Sequence, residues 1–463
     1  MEGVTGPQEA RAVAPLSQPF RRRVRVGGSK SIACRALAAA SVSEGASVVR
    51  GMLDAEDIAV LARGLIALGV RLDWPRLRPA GETGPAEETD RGSWPDEIRI
   101  HGLAWGERFP AAGVTVEAGA AGFPARQLAA LAALASGPVT VIGTARMARR
   151  PMRPLASALT ALGCPAAVLS KEGGLPVRVE GGGLEGGSCR LEGSSESSQF
   201  LSVLLPVLTR ARRETVLRLD GPLVSAPYAA LTLAVARQFE LRVETAEEGE
   251  WRVIPGPGKG RLIEVGPDAS SASYAFAAAA ITAGEAFVEG LSRRSQQPDI
   301  AFLDLLESMG CRVRESAGGL SVQGGPLRGI RADLRAIPDS VPVLAAVALF
   351  AAGPTEIYGV AHLRHKESDR LAALASELGR LGGVVEELPD GLRIHPGPAG
   401  AAGGLGGLAA GLHGGRVDPN GDHRIAMAGA LVGLRVPGVS VADPGCVAKS
   451  FPGFWDEIAA GPG

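Results

Sequence analysis

The chain has 463 residues, a formal net charge of −1 and 46% hydrophobic residues. Its length argues for two or more domains, and its balanced charge argues against nucleic acid as the main partner. No stretch approaches the roughly 18 uninterrupted apolar residues of a membrane span, and the N-terminus lacks a secretory pattern, which predicts a cytoplasmic protein. Five scattered cysteines without metal-ligand spacing argue against both a disulfide framework and a zinc site.

One unit recurs six times along the chain. Each copy has a polar, often serine-rich entry, an Ala/Leu-rich helix that ends near a glycine, and a short β-branched strand. The starts lie about 70 to 95 residues apart, which is the size of a βαβαβ unit and suits three units per domain. The six predicted helices span residues 29–45, 124–137, 194–208, 270–284, 339–353 and 422–434.

The turn-rich segment PGPGKGRLIEVGPD divides the six units into two groups of three. The segment RRRVRVGG, which precedes the first unit, is a second place where the chain could cross between the domains. We therefore predict one domain over residues 27–262 and another formed by residues 1–26 plus 263–463. Residues 77–97 and 396–415 are rich in Pro, Gly and Ala or acidic residues, which indicates surface excursions between strands.

The helix entries carry residues that suit anion binding. Unpaired N–H groups and the positive end of the helix dipole favour anions there, although ordinary N-capping also explains Ser and Asp at such positions. Lys30, Arg35, Gln199 and Arg424 are not capping residues, which favours a binding site.

Lysine is scarce in this chain, yet three of its lysines stand in compact polar motifs. The lysines are residues 30, 171, 259, 366 and 449. An ammonium is a compact point charge that can transfer a proton once burial lowers its pKa. Lys366 belongs to the segment KESDR, which is either part of a site or a charged helix start.

Nine motifs occur in the order seen in the 5-enolpyruvylshikimate-3-phosphate synthases. They are GGSKSIACR, LDAED, SSQF, LVSAPY, DASSASY, IPDS, KESDR, DHRIAMA and DPGCVAKSFPGFW. The resemblance covers residues from about 20 to 458. It implies an α/β fold with two similar domains of three βαβαββ units each, the inside-out α/β barrel of the enolpyruvyl transferases. It also implies an active site in the cleft between the domains.

The resemblance implies two sets of binding residues. The set for shikimate 3-phosphate is Lys30, Ser31, Arg35, Ser197, Ser198, Gln199, Ser225, Tyr228, Asp339, His362 and Lys366. The set for phosphoenolpyruvate is Lys30, Gly122, the neighbourhood of Arg126, Arg146, Gln199, Glu367, Arg370, Arg424 and Lys449. Planar guanidinium groups suit the phosphate and the carboxylate of phosphoenolpyruvate, because each can hold either anion through two hydrogen bonds.

The implied reaction transfers the carboxyvinyl group of phosphoenolpyruvate to the 5-hydroxyl of shikimate 3-phosphate and releases phosphate. It needs a base for the hydroxyl and an acid for the methylene carbon. Asp339 is the expected base, Glu367 the expected acid or proton shuttle, and Lys30 or Lys449 assists the leaving phosphate. No metal or organic cofactor is expected, the partners are small molecules, and the family implies a monomer.

The chain departs from the family in its glycine loop. Residues 119–127 read GAAGFPARQ where GNAGTAMRP is usual, so Ala120 replaces an amide and Phe123 a smaller hydroxyl side chain. Arg149 replaces a common acid, and His362 stands where many members have Asn. We hypothesise that Phe123 and Gln127 weaken inhibition by glyphosate, which competes for the phosphoenolpyruvate site.

Several alternatives remain at this point. Asp339 could be a simple N-cap, Glu367 could merely pair with a cation on its helix, and Tyr228 could be a core residue. Cys446 and His365 are interpreted as structural or incidental.

Two other functions compete with the implied one. The first is an enolpyruvyl transferase for another acceptor alcohol, such as the sister enzyme that uses UDP-N-acetylglucosamine. Its loop cysteine would fall near residues 145–146, where this chain has none. The second is a non-catalytic binding protein on the same scaffold.

Overall fold

The computed structural model describes residues 10–74, 97–245, 249–395 and 411–459. The chain divides into two compact units, which we call unit I (Gly28–Val265) and unit II (Met1–Gly27 with Gly266–Gly463). Most of the two predicted surface excursions, 77–97 and 396–415, lies outside the described residues.

The described residues form short strands throughout. In chain order they are β1 (Arg11–Ala12), β2 (Arg21–Val24), β3 (Ser43–Glu44), β4 (Ala46–Arg50), β5 (Arg71–Asp73), β6 (Glu97–His101), β7 (Val114–Glu117), β8 (Val139–Ile142), β9 (Ala166–Val168), β10 (Val177–Val179), β11 (Gly187–Leu191), β12 (Thr215–Leu219), β13 (Arg242–Thr245), β14 (Glu250–Ile254), β15 (Gly258–Lys259), β16 (Leu262–Glu264), β17 (Glu285–Glu289), β18 (Arg312–Ser316), β19 (Gly319–Gln323), β20 (Arg331–Asp333), β21 (Thr355–Tyr358), β22 (Val384–Leu388), β23 (Gly391–His395), β24 (Gly415–Val417) and β25 (Val439–Val441).

Helices alternate with these strands. They are α1 (Lys30–Val42), α2 (Glu56–Ala67), α3 (Gly122–Ala132), α4 (Arg153–Ala161), α5 (Gln199–Leu208), α6 (Ala226–Gln238), α7 (Ala269–Ile281), α8 (Phe302–Met309), α9 (Val341–Ala348), α10 (Arg370–Gly379), α11 (His423–Gly433) and α12 (Phe454–Glu457). Short 3₁₀ turns cover Met147–Arg149, Pro298–Ala301, Pro338–Ser340, Ala361–His365 and Pro444–Lys449.

The sixfold repeat predicted from the sequence is visible in the sheets. Unit I has four-stranded sheets in the orders β7-β8-β10-β9, β11-β12-β14-β13 and β16-β4-β6-β5. Unit II has the orders β18-β19-β17-β2 and β20-β21-β23-β22, and a three-stranded sheet β1-β25-β24. Each of the six contains one parallel pair, such as β7 with β8, and its other neighbouring strands are antiparallel.

Two of the parallel pairs join distant parts of the chain. β16 pairs with β4 in unit I, so that Leu262 lies opposite Val48. β2 pairs with β17 in unit II, so that Arg21 lies opposite Glu285. The first sheet of unit I is therefore completed by a strand from the end of that unit's range, whereas a sheet of unit II is completed by β2 from the N-terminal segment.

The first helix of each repeat forms the core of its unit. α9 and α11 are buried along their whole length, and α3 is buried except at Phe123. A helix that is apolar on all sides must be surrounded by other elements, and the alanines of these helices allow close packing on every side. Only the first turns of such helices remain available for polar side chains.

The predicted helix positions are confirmed to within a few residues, with two differences at the entries. Residues 194–198 precede α5 without joining it, and Asp339 lies in a 3₁₀ turn before α9. At the second of these entries Pro338 and Pro342 explain part of the difference, since they lack the N–H group that a helix interior requires.

No helix among the described residues is both long and apolar enough to cross a membrane. Over the same residues there is no group of three or more His, Cys, Asp or Glu side chains that could hold a metal ion. All five cysteines are free thiols, and Cys446 is only half-buried.

Gly102 closes the first sheet of unit I against the end of α1. A Cβ atom at this position would lie 1.8 Å from the carbonyl oxygen of Ser43 and 2.3 Å from that of Ala40. We expect Gly102→Ala to destabilise the protein by about 1–3 kcal/mol, the usual cost of overpacking, in denaturant unfolding followed by circular dichroism. Gly379→Ala is the matched control, since nothing lies within 4 Å of its new Cβ. An equal effect of the two substitutions would contradict this packing.

Candidate active site

The guanidinium of Arg370 is the centre of a buried charge cluster in unit II. It donates to Asp422 from Nε at 2.8 Å, to Asp339 from Nη1 at 2.9 Å and to Glu367 from Nη2 at 2.7 Å. The side chain of Arg370 is 2% exposed and that of Asp422 is 0% exposed. Two N-caps fix the positions of these groups. Asp369 caps α10 through the N–H of Ala372, and Asp422 caps α11 through the N–H of Arg424.

Asp339 is shared by two guanidinium groups. Besides the bond from Arg370, its carboxylate accepts a hydrogen bond from Nη2 of Arg424 at 3.0 Å, and its carbonyl accepts one from Nη1 at 3.1 Å. Burial alone would raise the pKa of Asp339, but the charges of Arg424, Lys366 and Arg370 outweigh it and hold that pKa well below its usual range. Asp339 is therefore ionised throughout the physiological range.

Two lysines lie beside the two arginines of this cluster. Lys449 lies with Nζ 3.8 Å from Oε1 of Glu367, and Lys366 is close enough to lower the pKa of Asp339. Against the effect of burial, Asp339 and a fourth carboxylate, Asp299, raise the pKa of Arg424. Guanidinium and ammonium groups gathered in this way present several N–H donors to a bound anion.

His362 lies beside the cluster as a neutral imidazole. It is buried, and burial together with the charge of Lys366 lowers its pKa to about 4. Within the described residues its Nε2 atom has no hydrogen-bond partner. A neutral ring can offer one donor and one acceptor nitrogen to a ligand, which an amide side chain also does.

A second group of polar residues occupies the first turn of α1 in unit I. The hydroxyl of Ser29 caps the helix by accepting from the N–H of Ile32, and Lys30 pairs with Asp57 at 2.8 Å between Nζ and Oδ2. Lys30 and Ser31 are half-buried at this end. The carboxylate of Asp57 offsets the unfavourable position of an ammonium at the positive end of the helix dipole.

Arg35 lies one turn further along α1 and is almost completely buried. It donates to Oγ1 of Thr232 at 2.8 Å, to the carbonyl of Ser31 at 2.9 Å and to the carbonyl of Tyr228 at 3.1 Å. Its guanidinium also lies 4.6 Å from the ring centroid of Phe123. Burial lowers the pKa of Arg35 to about 10, so it remains a cation at neutral pH.

The glycine loop lies against a buried arginine. A Cβ atom on Gly122 would come within 2.2 Å of Nη1 of Arg150, so the guanidinium would have to move to admit a side chain at this point. Arg126 donates to the side chain of Gln199 and, at 2.9 Å, to the carbonyl of Pro151. These bonds connect the first turns of α3 and α5.

Ser225 has an unusual backbone conformation. It has φ 54° and ψ 35°, a left-handed conformation that non-glycine residues adopt rarely, and it is buried directly before α6. Ser197 accepts a hydrogen bond from the N–H of Gln199 at 3.2 Å, and Ser198 is buried directly before α5. Tyr228 is half-buried, so its interpretation as a core residue is wrong. Arg146 is half-buried before a 3₁₀ turn.

The structure brings the predicted residues together in two groups, one in each unit. The simple N-cap interpretation of Asp339 is wrong, because its side chain makes no capping hydrogen bond and instead binds two arginines. Glu367 does pair with Arg370, so its pairing and its predicted chemistry both remain possible. His365 is exposed. Gln127 points into the core, where its amide donates to the carbonyl of Cys34 at 2.9 Å.

Four residues of these clusters escaped the sequence analysis. Asp57, Arg150, Thr232 and Asp422 hold Lys30, Gly122, Arg35 and Arg370 respectively. Asp57 and Asp422 stand inside quoted motifs, LDAED and DHRIAMA, which was a usable signal. Thr232 gives no such signal beyond its i+4 spacing from Tyr228.

The chain is similar to proteins of known family along nearly its whole length. The family model of EPSP synthase (3-phosphoshikimate 1-carboxyvinyltransferase) matches residues 16–81 and 93–458. The chain belongs to the EPSP synthase family. It is 40% identical to the 3-phosphoshikimate 1-carboxyvinyltransferase of Methanoculleus marisnigri, over 98% of this chain and 97% of the relative.

Solved structures of the same family share the fold. EPSP synthase from Acinetobacter baumannii superposes with a TM-score of 0.74 and 25% identity, over 96% of this chain and 97% of that one. The enolpyruvyl transferase NikO from Streptomyces tendae has a TM-score of 0.69 at 17% identity, over 98% and 97% of the two chains, and shows the fold alone. The predicted α/β fold of the enolpyruvyl transferases is confirmed.

The Arg370 cluster should couple stability to pH. Arg370→Met leaves the fully buried Asp422 without its guanidinium, for which we expect a loss of about 3–5 kcal/mol at pH 7. The folded pKa of Asp339 lies below its unfolded value of about 3.9, so its stabilisation is present above about pH 4 and is lost as the pH falls further. The difference between wild type and variant should therefore stay constant from pH 7 to about pH 4 and shrink as denaturant unfolding is repeated below about pH 4.

Arg380→Met is the control for this experiment. Arg380 is 58% exposed and pairs with Glu377 at 3.6 Å, so its loss should cost less than about 1 kcal/mol. A pH-independent difference between wild type and Arg370→Met would show that the cluster contributes no titratable stability.

Proposed function

We propose that this chain transfers the carboxyvinyl group of phosphoenolpyruvate to the 5-hydroxyl of shikimate 3-phosphate and releases phosphate. The observation that carries the proposal is Glu367, which lies between a guanidinium and an ammonium, 2.7 Å from Nη2 of Arg370 and 3.8 Å from Nζ of Lys449. A carboxyl group beside these cations can exchange a proton with a substrate whose anionic groups the cations bind, because the bound anion offsets the cations' preference for the ionised carboxylate.

In the proposed reaction the 5-hydroxyl oxygen bonds to the carbon that carries the phosphate. The hydroxyl proton goes to Asp339, and the methylene carbon takes a proton from Glu367. The methyl group then returns a proton to Glu367 as the carbon–oxygen bond to phosphate breaks, which restores the vinyl group, and the hydroxyl proton leaves Asp339 with the departing phosphate. Lys30 or Lys449 neutralises charge on the departing phosphate, as their positions beside Asp57 and Glu367 allow.

The low pKa of Asp339 bears on its proposed role as a base. While both Arg370 and Arg424 hold its carboxylate, Asp339 is a weak base. A substrate anion that competes for the same guanidinium groups would weaken these bonds and raise the basicity of Asp339. We propose that phosphoenolpyruvate, which carries both a carboxylate and a phosphate, is that anion.

For the acceptor we propose the residues of unit I around Arg35, together with three residues of unit II. The first turns of α1, α5 and α6 supply Ser31, Ser197, Ser198, Ser225 and Tyr228, and unit II supplies Asp339, His362 and Lys366. Gly122, Arg146 and Gln199 are proposed for phosphoenolpyruvate, as the family implies. The cytoplasmic location and the monomeric state remain predictions.

Phosphate release from phosphoenolpyruvate tests the function. We expect release with shikimate 3-phosphate and little with shikimate or UDP-N-acetylglucosamine. Preference for another acceptor would favour a related transferase, and no release with any acceptor would favour a non-catalytic binding protein.

Glu367→Gln tests the proposed acid. The amide cannot deliver a proton, so we expect turnover to fall by about 10²–10⁴ while binding of shikimate 3-phosphate, measured by calorimetry, changes little. Glu386→Gln is the control, since Glu386 is exposed on β22 and pairs with Arg393. Unchanged turnover in Glu367→Gln would remove Glu367 from the mechanism.

Phe123 should weaken inhibition by glyphosate. Its ring covers the Arg35 guanidinium, where the usual loop has the smaller threonine. We expect the chain to need more glyphosate for half-inhibition than a family member with the GNAGTAMRP loop, assayed at the same phosphoenolpyruvate concentration. Phe123→Thr should lower that value, and equal sensitivity of all three proteins would sink the hypothesis.

A further inference from the structure

A small cavity lies among four helices of unit I. It is lined by Arg35 of α1, Gln127 of α3, Ser202 of α5 and Thr232 of α6, and its other walls are alanine, proline and valine side chains. The cavity has room for about one water molecule. It is distinct from the first turns of the helices, where the proposed substrate residues stand.

Two polar atoms that line this cavity lack a hydrogen-bond partner in the part of the chain that the structure describes, which indicates a bound ligand. Oε1 of Gln127 and Oγ of Ser202 are buried and have no hydrogen-bond partner among the described residues. Buried polar atoms in folded proteins are nearly always satisfied, by protein groups or by an ordered water. A cavity that is roomy enough and has two or more polar partners binds water, whereas a purely apolar cavity stays dry.

Arg35 contributes the third polar group. A guanidinium has five N–H donors, and three hydrogen bonds from Arg35 go to Thr232, Ser31 and Tyr228. The other two N–H groups of Arg35 have no hydrogen bond to a residue that the structure describes. These can serve a substrate phosphate, a water, or one of each.

Gln127 is already linked to the same helix. Its Nε2 atom donates to the carbonyl of Cys34 at 2.9 Å, one residue before Arg35. The side chain of Gln127 is 97% buried, since only 3% of the residue is exposed. Gln127 therefore reaches both the backbone beside Arg35 and the cavity beside its guanidinium.

We propose that this cavity binds one ordered water, which donates a hydrogen bond to Oε1 of Gln127 and is bonded to Oγ of Ser202. Through the water and the Cys34 carbonyl, Gln127 is a positioning residue for Arg35. The water joins α3 to α5, and the bond from Gln127 to Cys34 joins α3 to α1, so helices that carry proposed phosphoenolpyruvate residues hold a proposed shikimate 3-phosphate residue in place. The positioning role rests on the proposed function, and the water site does not.

A high-resolution crystal structure of the full chain tests the water site. We expect density for a water within hydrogen-bond distance of both Gln127 Oε1 and Ser202 Oγ. Absence of that density, or a Gln127 side chain rotated to bond Ser202 directly, would overturn the site.

Calorimetric binding of shikimate 3-phosphate tests the positioning role. Gln127→Met keeps the side-chain length and removes both polar atoms, so we expect Kd to rise about twofold to tenfold, as the loss of one or two hydrogen bonds implies. Ser202→Ala keeps the Cys34 bond and loses one partner of the water, for which we expect a smaller rise. In steady-state assays of Gln127→Met, KM for shikimate 3-phosphate should rise while kcat stays within about twofold.

Val235→Ala is the control for loss of packing alone. Val235 lines the same cavity and has no polar side-chain atom. Its truncation should lower Tm without changing Kd for shikimate 3-phosphate. An unchanged Kd in Gln127→Met, or an equal rise in Val235→Ala, would overturn the positioning role. If the wild type binds no shikimate 3-phosphate, the proposed function and the positioning role both fail, whereas the crystallographic density still decides the water site.

Discussion

The burial of the Arg370 guanidinium among three carboxylates is the interaction on which the site of unit II depends. A buried cation or anion is tolerated only with partners, so Asp339 and Glu367 of the fifth repeat and Asp422 of the sixth must be brought to one place. Asp422 serves twice, since it caps α11 and also accepts from Arg370. The same cations that fix these elements are proposed to bind substrate anions, which connects the stability of unit II to those anions.

The repeated architecture explains why chemistry is confined to the helix entries. The central helices are surrounded by apolar neighbours along their length, as α9 and α11 show most clearly. Polar side chains are therefore accommodated mainly at the first turns, where unpaired N–H groups already favour anions. Four polar residues within the helices, Arg35, Gln127, Ser202 and Thr232, surround one cavity.

Much of this arrangement could be predicted from the sequence. The sixfold repeat and the α/β class followed from periodicity, and Lys30, Lys366 and Lys449 stood out because lysine is scarce. The partners of these residues were harder to find. Asp57 and Asp422 resemble ordinary capping or surface carboxylates until the fold brings Lys30 and Arg370 against them. Gln127 was assigned to the pocket from its place in the loop, whereas the direction of its side chain depends on how α3 packs against α1.

The most direct test of the central claim follows the oxygen that joins carbon to phosphorus in phosphoenolpyruvate. With a heavy-oxygen label at that bridging position and shikimate 3-phosphate as acceptor, addition and elimination break the carbon–oxygen bond. The account predicts that the label leaves entirely in the released phosphate, while the acceptor gains an unlabelled carboxyvinyl ether. Label retained in pyruvate, with no carboxyvinyl product, would show simple cleavage of the phosphorus–oxygen bond and would contradict the account.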